Sequence, residues 1–117
     1  KEIGFTIYAV SDIAKARAFY EGILGLVPSA AYPVTPESKW IEYDIGAGTF
    51  AIGRSDDWKP STDGATVAFE VDDFDGAIAK LKEAGVEFKM EGMDFPTCHM
   101  AVIKDPDNSN VLIHKRK

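Results

Sequence analysis

Residues 10–26 read VSDIAKARAFYEGILGL, and the rest of the chain is organised around them. The segment predicts the end of a strand followed by an amphipathic helix, because its apolar side chains recur at helical spacing. Asp12 is the candidate N-cap, since its carboxylate can accept from the first free backbone N–H groups of the helix. Gly22 or Gly25 is expected to end the helix.

Residues 71–85, VDDFDGAIAKLKEAG, repeat this layout, with Val71 in the place of Val10. We call the spacing from Val10 to Val71 the repeat offset. The cap of the second helix is Asp72 or Asp73, and Gly85 supplies a left-handed stop. An offset of close to half the chain predicts one structural module used twice.

The segments around the two helices predict strands. Residues 3–10 form a strand that is apolar on both faces, which predicts a central position in its sheet. The proline-containing stretch 27–39 predicts a short edge strand and a loop that is a candidate lid. Residues 40–52 predict a hairpin, and the polar stretch 54–64 predicts a linker. In the second half, strands are expected at 65–71, 86–90, 98–104 and 110–114.

This order predicts an α+β fold. Two tandem βαβββ modules form a cupped, partly closed mixed sheet, with one helix per module on the outside. Module 1 covers about 1–53 and module 2 about 65–117, and together they make a single domain over 1–117.

Composition restricts the partners. The formal net charge of −6 and the lack of a basic stripe argue against nucleic acid. The sequence carries no signal-peptide core and no long apolar span, which predicts no membrane partner. One cysteine, Cys98, cannot form an internal disulfide, so we expect a cytoplasmic, reducing location. Apart from His99, no neighbour in the sequence would lower the pKa of this thiol, so we expect it to be buried and structural and not a nucleophile.

The quoted motifs resemble a known superfamily. The AFYEGILGL segment at 18–26, the repeat, and Asp105-Pro106-Asp107 before the last strand are similar to the vicinal oxygen chelate superfamily, the glyoxalase/bleomycin-resistance/dioxygenase fold. The Asp-Pro-Asp segment is expected to act as a turn, and Asn108 stands where the family has glycine. One such scaffold hosts lyases, isomerases, dioxygenases, transferases and metal-free drug binders, so the resemblance alone leaves the activity open.

The resemblance also implies where a metal would bind, on the first and last strand of each module. The four positions fall on Phe5, Ala51, Thr66 and Leu112. Divalent metals prefer imidazole, thiolate or carboxylate ligands, which these residues lack. We therefore expect a metal-free member with no cofactor.

A metal-free pocket recognises its ligand by shape, aromatic faces and a few polar groups. If Phe5 faces the cleft, alternation places Ile7 beside it. Trp40 and Glu42 share one face of their strand, where a ring beside a carboxylate suits a cationic or aromatic ligand. A solvated face with one exposed tryptophan is the alternative.

The two histidines are further candidates, because imidazole is a common general base. His114 lies two residues after Leu112 on the same strand face, and His99 lies in the preceding strand, so both are expected to border the pocket. A surface role for His114 stays open.

Three functions remain. The first is a glyoxalase/bleomycin-resistance-like protein, forming a homodimer, that binds a small organic molecule in the cleft through the residues named above, Phe5, Ile7, Trp40, Glu42, Ala51, Thr66, His99, Leu112 and His114. The second is a glyoxalase-type lyase or isomerase with a displaced metal site that uses His99, Glu42 or His114. The third is a dimeric scaffold without a ligand.

Overall fold

Each half of the chain folds into a four-stranded mixed sheet with a helix on one face. The computed structural model describes residues 3–32, 40–56 and 58–117. It divides the chain into unit 1, Lys1–Ser61, and unit 2, Thr62–Lys117. The boundary between the units falls inside the stretch 54–64 that the sequence predicts as a linker.

In unit 1 the strands follow the order β1-β4-β3-β2. Strand β1 runs parallel to β4, and the other pairs are antiparallel. The elements are β1 (Thr6–Ala9), α1 (Ile13–Arg17) with a π-helical continuation (Ala18–Ile23), β2 (Ala30–Tyr32), β3 (Trp40–Ile45) and β4 (Gly48–Gly53).

Unit 2 has the same plan, with the order β5-β8-β7-β6 and a parallel β5–β8 pair. Its elements are β5 (Val67–Glu70), α2 (Phe74–Glu83), β6 (Phe88–Asp94), β7 (Cys98–Lys104) and β8 (Asn110–Arg116). The predicted α+β fold with two βαβββ modules is confirmed. Each described sheet is open, and the cupped arrangement of the two sheets stays a prediction.

The first strand differs from its prediction, because β1 stands at the end of its sheet and not at its centre. Its helix side is buried, with Tyr8 only 6% and Val10 only 1% exposed. Ile7 and Ala9 on the other side are half-buried. An apolar run on both faces is therefore compatible with a terminal strand, provided that each face is partly covered.

The predicted caps are present and are separated by the repeat offset. Oδ1 of Asp12 accepts from the backbone N–H of Lys15 at 3.1 Å. Oδ1 of Asp73 accepts from the backbone N–H of Gly76 at 3.0 Å, which selects Asp73 over Asp72 as the second cap. Each contact satisfies one of the donors that a helix start leaves free.

The glycines that end the two helices are closer together than the caps that begin them. Gly25 and Gly85 both have a φ of 75°, the left-handed conformation that glycine adopts without strain. The first helical segment thus contains one more residue between cap and stop than the second. The π-helical continuation Ala18–Ile23 absorbs it, since the backbone N–H of Leu24 donates to the carbonyl of Phe19, five positions earlier.

Each unit buries side chains between its sheet and its helix, and also on the opposite face of the sheet, at Ala51 in unit 1 and Val102 in unit 2. In unit 1 the buried residues come from β1, the helix, β3 and β4, and are Tyr8, Val10, Ala16, Phe19, Tyr20, Ile41, Tyr43, Phe50, Ala51 and Ile52. In unit 2 the buried hydrophobic residues are Leu81, Ala101, Val102, Ile103, Val111 and Ile113. Burial alternates along β3 and β8, as predicted, whereas β4 and β7 each contain at least three consecutive buried residues and are covered on both faces.

The Asp-Pro-Asp segment forms the predicted turn. Oδ1 of Asp105 accepts from the backbone N–H groups of Asp107 at 2.9 Å and Ser109 at 2.8 Å. Asn108 has a φ of 65°, so it takes the left-handed position that the family gives to glycine.

The remaining observations concern the candidate lid, the linker tryptophan and the helix lengths. Residues 33–39 of the candidate lid lie outside the described residues. Trp58 bridges to Ser55 and is 39% exposed, so this tryptophan belongs to the surface of the linker stretch. None of the helices in the described ranges is long and apolar enough to cross a membrane.

Candidate functional site

The parallel strand pairs repeat with the same offset as the helix caps. In unit 1 Ile7 lies opposite Ala51, and in unit 2 Ala68 lies opposite Leu112. Both members of the second pair stand one repeat offset beyond their counterparts in the first. Ala51 and Leu112 therefore hold equivalent places in the two units.

The residues at the four expected metal positions do not fit a metal ion. Phe5 is 47% exposed, Ala51 is fully buried, Thr66 is exposed and Leu112 is half-buried. Three of the four side chains are hydrocarbon, and the fourth offers only a neutral hydroxyl, so they do not supply a divalent cation with the imidazole or carboxylate ligands it prefers. In the parts of the chain that the structure describes, no three His, Cys, Asp or Glu side chains cluster closely enough to hold a metal.

Three predicted residues of unit 1 meet on the face of the sheet opposite the helix. The rings of Phe5 and Trp40 pack edge to face, with centroids 5.5 Å apart. The indole N–H of Trp40 donates to Oε2 of Glu42 at 2.8 Å. Both Trp40 and Glu42 are half-buried, whereas Ile41 and Tyr43 between and beyond them are fully buried under the helix. The predicted face assignment of β3 is thus correct.

Small and apolar neighbours surround this group. Glu42 lies opposite Ala51, which lies opposite Ile7, so the three form one row across the sheet. In the next row Trp40 lies between Gly53 on β4 and Tyr32 on β2, and glycine leaves the β4 side of the indole without a neighbouring side chain. The structure therefore brings Ile7, Ala51 and Glu42 together, and Ala51, being fully buried, shapes the floor of this surface.

Hydrogen bonds hold both the backbone and the side chain of Glu42. The backbone carbonyl of Glu42 accepts from both the N–H and the hydroxyl of Ser29, at 2.7 and 3.1 Å. Within the described residues Trp40 is the side-chain partner of this carboxylate, which leaves Oε1 available to a ligand. An aromatic face with an adjacent, fixed negative charge can recognise a flat molecule that carries a positive charge.

The helix side of unit 1 contains a polar network that sequence reasoning missed. The guanidinium of Arg17 donates to both carboxylate oxygens of Glu21, at 2.6 and 3.2 Å, and the hydroxyl of Tyr43 donates to Oε2 at 2.8 Å. Burial raises the pKa of Glu21, but the hydrogen bonds from Arg17 and Tyr43 outweigh it, so the net pKa is lowered. Burial and the bond to Glu21 raise the pKa of Tyr43. The signal was the i, i+4 spacing of Arg17 and Glu21.

The two histidines of unit 2 occupy opposite faces of the sheet. On the β7–β8 ladder His99 lies opposite Lys115, whereas His114 lies opposite Met100. Because successive residues alternate between faces, the expectation that both histidines border one pocket is not met. His99 packs against Phe74 of α2, with ring centroids 5.6 Å apart, and its Nδ1 is 3.6 Å from Asp94.

His114 shares its face with Leu112 and contacts Glu70, a residue that sequence reasoning missed. Nδ1 of His114 lies 2.5 Å from Oε1 of Glu70, and Oε2 of Glu70 accepts from the backbone N–H of Arg116 at 2.7 Å. These bonds, the one from Arg116 first, lower the pKa of the Glu70 carboxyl. The parallel pairing of β5 with β8 sets this contact, and the repeat offset is the sequence signal for that pairing.

Comparisons with known proteins agree with this architecture. YetH of Bacillus subtilis (strain 168), an uncharacterized protein, is 29% identical over 116 residues, which cover 97% of this chain and 97% of YetH. The anthracycline biosynthesis protein DauV of Streptomyces sp. (strain C5) is 29% identical over 113 residues. That match covers 95% of this chain but only 40% of DauV, so the chain spans less than half the length of that protein.

Among solved structures, TnmS3, an antibiotic binding protein from Streptomyces sp. CB03234, superposes with a TM-score of 0.74. The two chains are 20% identical, and the match covers 99% of this chain and 98% of TnmS3, which shows a shared fold. The family model of the glyoxalase/bleomycin resistance protein/dioxygenase superfamily matches residues 2–113. The repeated βαβββ units and this match together show that the chain belongs to the glyoxalase/bleomycin resistance protein/dioxygenase superfamily.

Proposed function

We propose that unit 1 binds a flat aromatic cation, without a metal ion, on the face of its sheet that carries Phe5, Trp40 and Glu42. The observation that carries this proposal is the hydrogen bond from the Trp40 indole to Glu42, with Phe5 packed against the same indole. It fixes a ring plane and a negative charge side by side on one surface.

The chemistry of these three residues defines the ligand class. The indole face attracts cations and stacks on other rings, and Phe5 limits how far the indole can turn. The Glu42 carboxylate favours a positively charged group, such as an amine, at the edge of the ring system. The small residues Ala51 and Gly53 keep the neighbouring floor low.

The overall charge and the relatives support the same ligand class. A net charge of −6 attracts cations towards the protein and repels anions in general. DauV is an anthracycline biosynthesis protein and TnmS3 is an antibiotic binding protein. We therefore infer that the ligand is an antibiotic-like natural product and that the protein sequesters or senses it.

The four metal positions of the fold support binding without a metal. Phe5 and Ala51 belong to the aromatic surface itself, so hydrocarbon occupies the places of two expected ligands. Thr66 and Leu112 are the corresponding residues of unit 2, and ligand contact at these two residues and at His114 stays a prediction.

Isothermal titration calorimetry with daunorubicin, a flat aromatic amine, tests the proposal, with its neutral aglycone daunomycinone as the matched ligand. We expect saturable binding of daunorubicin and weaker binding of daunomycinone. Replacing the indole in Trp40→Leu is expected to abolish binding, whereas Trp58→Phe, which changes the exposed linker tryptophan, is expected to preserve it. Equal affinity of the Trp40→Leu variant would contradict the proposed site.

The proposal includes a homodimer. Ile3 is 83% and Val27 is 77% exposed in the single chain, so two large apolar side chains remain for a partner surface to cover. Sedimentation equilibrium is expected to return twice the mass of one chain. A monomer at micromolar concentration would remove this part of the proposal without affecting the ligand site.

A further inference from the structure

Unit 2 contains a pocket of about 490 Å³ that lies entirely within its own residues. Its walls come from the β6–β7 turn, the start of β7 and the end of β8. The lining residues are Pro96, Thr97, Cys98, His114, Arg116 and Lys117. The volume is sufficient for a small organic ligand or part of a larger one.

The register of β7 and β8 explains why these side chains meet. Cys98 lies directly opposite Arg116, and His114 precedes Arg116 by two residues, so all three occupy one face of the sheet. Diagonal neighbours on adjacent strands are close enough for long side chains to touch. Cys98 is half-buried and free, and it lines the pocket, which differs from the expected buried structural thiol.

The acidic residues near the pocket do not belong to its lining, whereas two basic residues do. Both oxygens of Glu70 are engaged, one by the backbone N–H of Arg116 and the other by Nδ1 of His114. Glu70 does not line the pocket. Lys117 does, and its Nζ is 2.5 Å from Asp94, which stands outside the lining. Glu70 and Asp94 thus each bond to residues that line the pocket, whereas Arg116 and Lys117 belong to the lining itself.

Arg116 is the exposed charge of this wall. Among the described residues no carboxylate lies within ion-pair distance of its guanidinium, although its backbone N–H is bonded to Glu70. A guanidinium presents a rigid fork of donors that matches a carboxylate or phosphate group. The hydroxyl of Thr97 provides another donor on the same pocket. The protein has a net charge of −6, so a concave surface lined by the two cationic side chains of Arg116 and Lys117 differs from the rest of the chain in its charge.

We propose that this pocket binds a small oxyanion, the carboxylate or phosphate group of an organic ligand, with the guanidinium of Arg116 as its main partner. The Thr97 hydroxyl and the Lys117 ammonium, which also bonds to Asp94, provide further donors. All the residues that line this pocket belong to unit 2.

Because Cys98 lines the pocket and is the single cysteine of the chain, its alkylation rate reports whether the pocket attracts an anion. Iodoacetate and iodoacetamide alkylate a thiolate by the same displacement of iodide, but only iodoacetate carries a carboxylate. We expect the iodoacetate-to-iodoacetamide rate ratio at Cys98 to exceed the ratio for N-acetylcysteine by about tenfold, through local concentration of the anion. Because the protein is acidic overall, a thiol outside an anion site is expected to show a ratio below that of N-acetylcysteine.

Two matched variants locate the effect. Arg116→Gln is expected to remove the preference for iodoacetate. Lys115→Gln makes the same change in net charge on the same strand, but Lys115 lies opposite His99 on the other face, so it is expected to keep the preference. An unchanged ratio in Arg116→Gln, or an equal loss in Lys115→Gln, would overturn the assignment to Arg116.

Inorganic phosphate provides a second readout on the unaltered protein. Added at constant ionic strength, phosphate is expected to slow the reaction with iodoacetate and to shift the backbone amide NMR signals of Thr97 and Cys98 with one common saturation curve. If the wild-type ratio equals that of N-acetylcysteine and phosphate shifts none of these signals, the pocket is not an anion site.

Discussion

The indole N–H of Trp40 donates a hydrogen bond to the carboxylate of Glu42, two residues further along the same strand, over 2.8 Å. Residues two apart in a strand share a face, so the bond holds both side chains over one surface. The indole fills one acceptor site of Oε2 and orients the carboxylate, while Phe5 packs edge to face with the indole. This pair is the basis of the proposed recognition of a flat cation.

Glu42→Gln keeps the shape of this surface and removes its charge. We expect daunorubicin to bind about fivefold more weakly, which corresponds to about 1 kcal/mol for a partly exposed charge contact. The neutral aglycone is expected to be unaffected. Asp44→Asn is the matched control, because it makes the same change on the same strand at an exposed position bonded to Thr49. Calorimetric titration of both ligands against both variants measures the difference.

Removal of metal ions is expected to change nothing. A metal present at about 100 times its dissociation constant would stabilise the fold by about 2.7 kcal/mol, so its removal would be visible as a lower melting temperature. We predict that dialysis of untagged protein against EDTA leaves both the melting temperature and the daunorubicin affinity unchanged. Tight binding of one equivalent of Ni²⁺ or Zn²⁺, with turnover of methylglyoxal and glutathione, would favour the lyase alternative instead.

Replacing Gly22 or Gly25 by alanine is expected to change the free energy of unfolding in opposite directions. A Cβ added at Gly22 or at Gly25 would meet nothing within 4 Å, so the two positions differ in backbone conformation and not in space. Gly25 has a φ of 75°, and Gly25→Ala is expected to lower the free energy of unfolding by about 1–2 kcal/mol. Gly22 lies inside the helix, and Gly22→Ala is expected to raise it by about 0.5–1 kcal/mol. Urea denaturation measures both, and changes of the same sign would argue against the left-handed stop at Gly25.

Tyr43 links the first helix to β3 through Glu21. Its side chain is fully buried, and its hydroxyl bonds to Oε2 of Glu21 at 2.8 Å. We expect Tyr43→Phe to cost about 1–2 kcal/mol of unfolding free energy at neutral pH, because the carboxylate loses a buried donor. In a Glu21→Gln background the same substitution is expected to cost less, and equal costs would mean that the two groups are not coupled.

The same network predicts a dependence of stability on pH. The pKa of Glu21 is lower in the folded chain than its ordinary value, so the ionised group stabilises the fold above the unfolded pKa of about 4.3. That stabilisation is lost as the pH falls through the folded pKa. Glu21→Gln is therefore expected to lose less stability than the unaltered protein on acidification. Parallel losses in urea titrations at neutral and acidic pH would contradict this.

Much of the fold could be predicted because equivalent residues of the two modules are separated by the same number of positions, the repeat offset. Asp12 and Asp73 cap the two helices at the repeat offset, and the pairs Ile7–Ala51 and Ala68–Leu112 keep the same spacing. A hydrophobic period of about two or 3.6 residues then assigns each side chain to a face. The π-helical turn was not predicted. Its extra residue is visible in the sequence, because the spacing from Gly25 to Gly85 is one position shorter than the repeat offset.

The candidate site was predictable only to the level of faces. Period-two alternation placed Trp40 and Glu42 together, but the bond between them depends on side-chain rotamers that no local pattern specifies. His99 was misplaced because its face depends on the β7–β8 register, and the turn between these strands differs in length from its counterpart in unit 1. A one-residue change of register exchanges the two faces of a strand.

The indole NMR signals of the two tryptophans test the central claim most directly. With ¹⁵N-labelled protein titrated with daunorubicin, the Nε1–H signal of Trp40 is predicted to shift along a saturable curve and to reach its limit at one equivalent per chain. The Nε1–H signal of Trp58, an exposed linker residue, is predicted to remain in place. Saturable binding that leaves the Trp40 signal unmoved, or that shifts only Trp58, would contradict the proposed site.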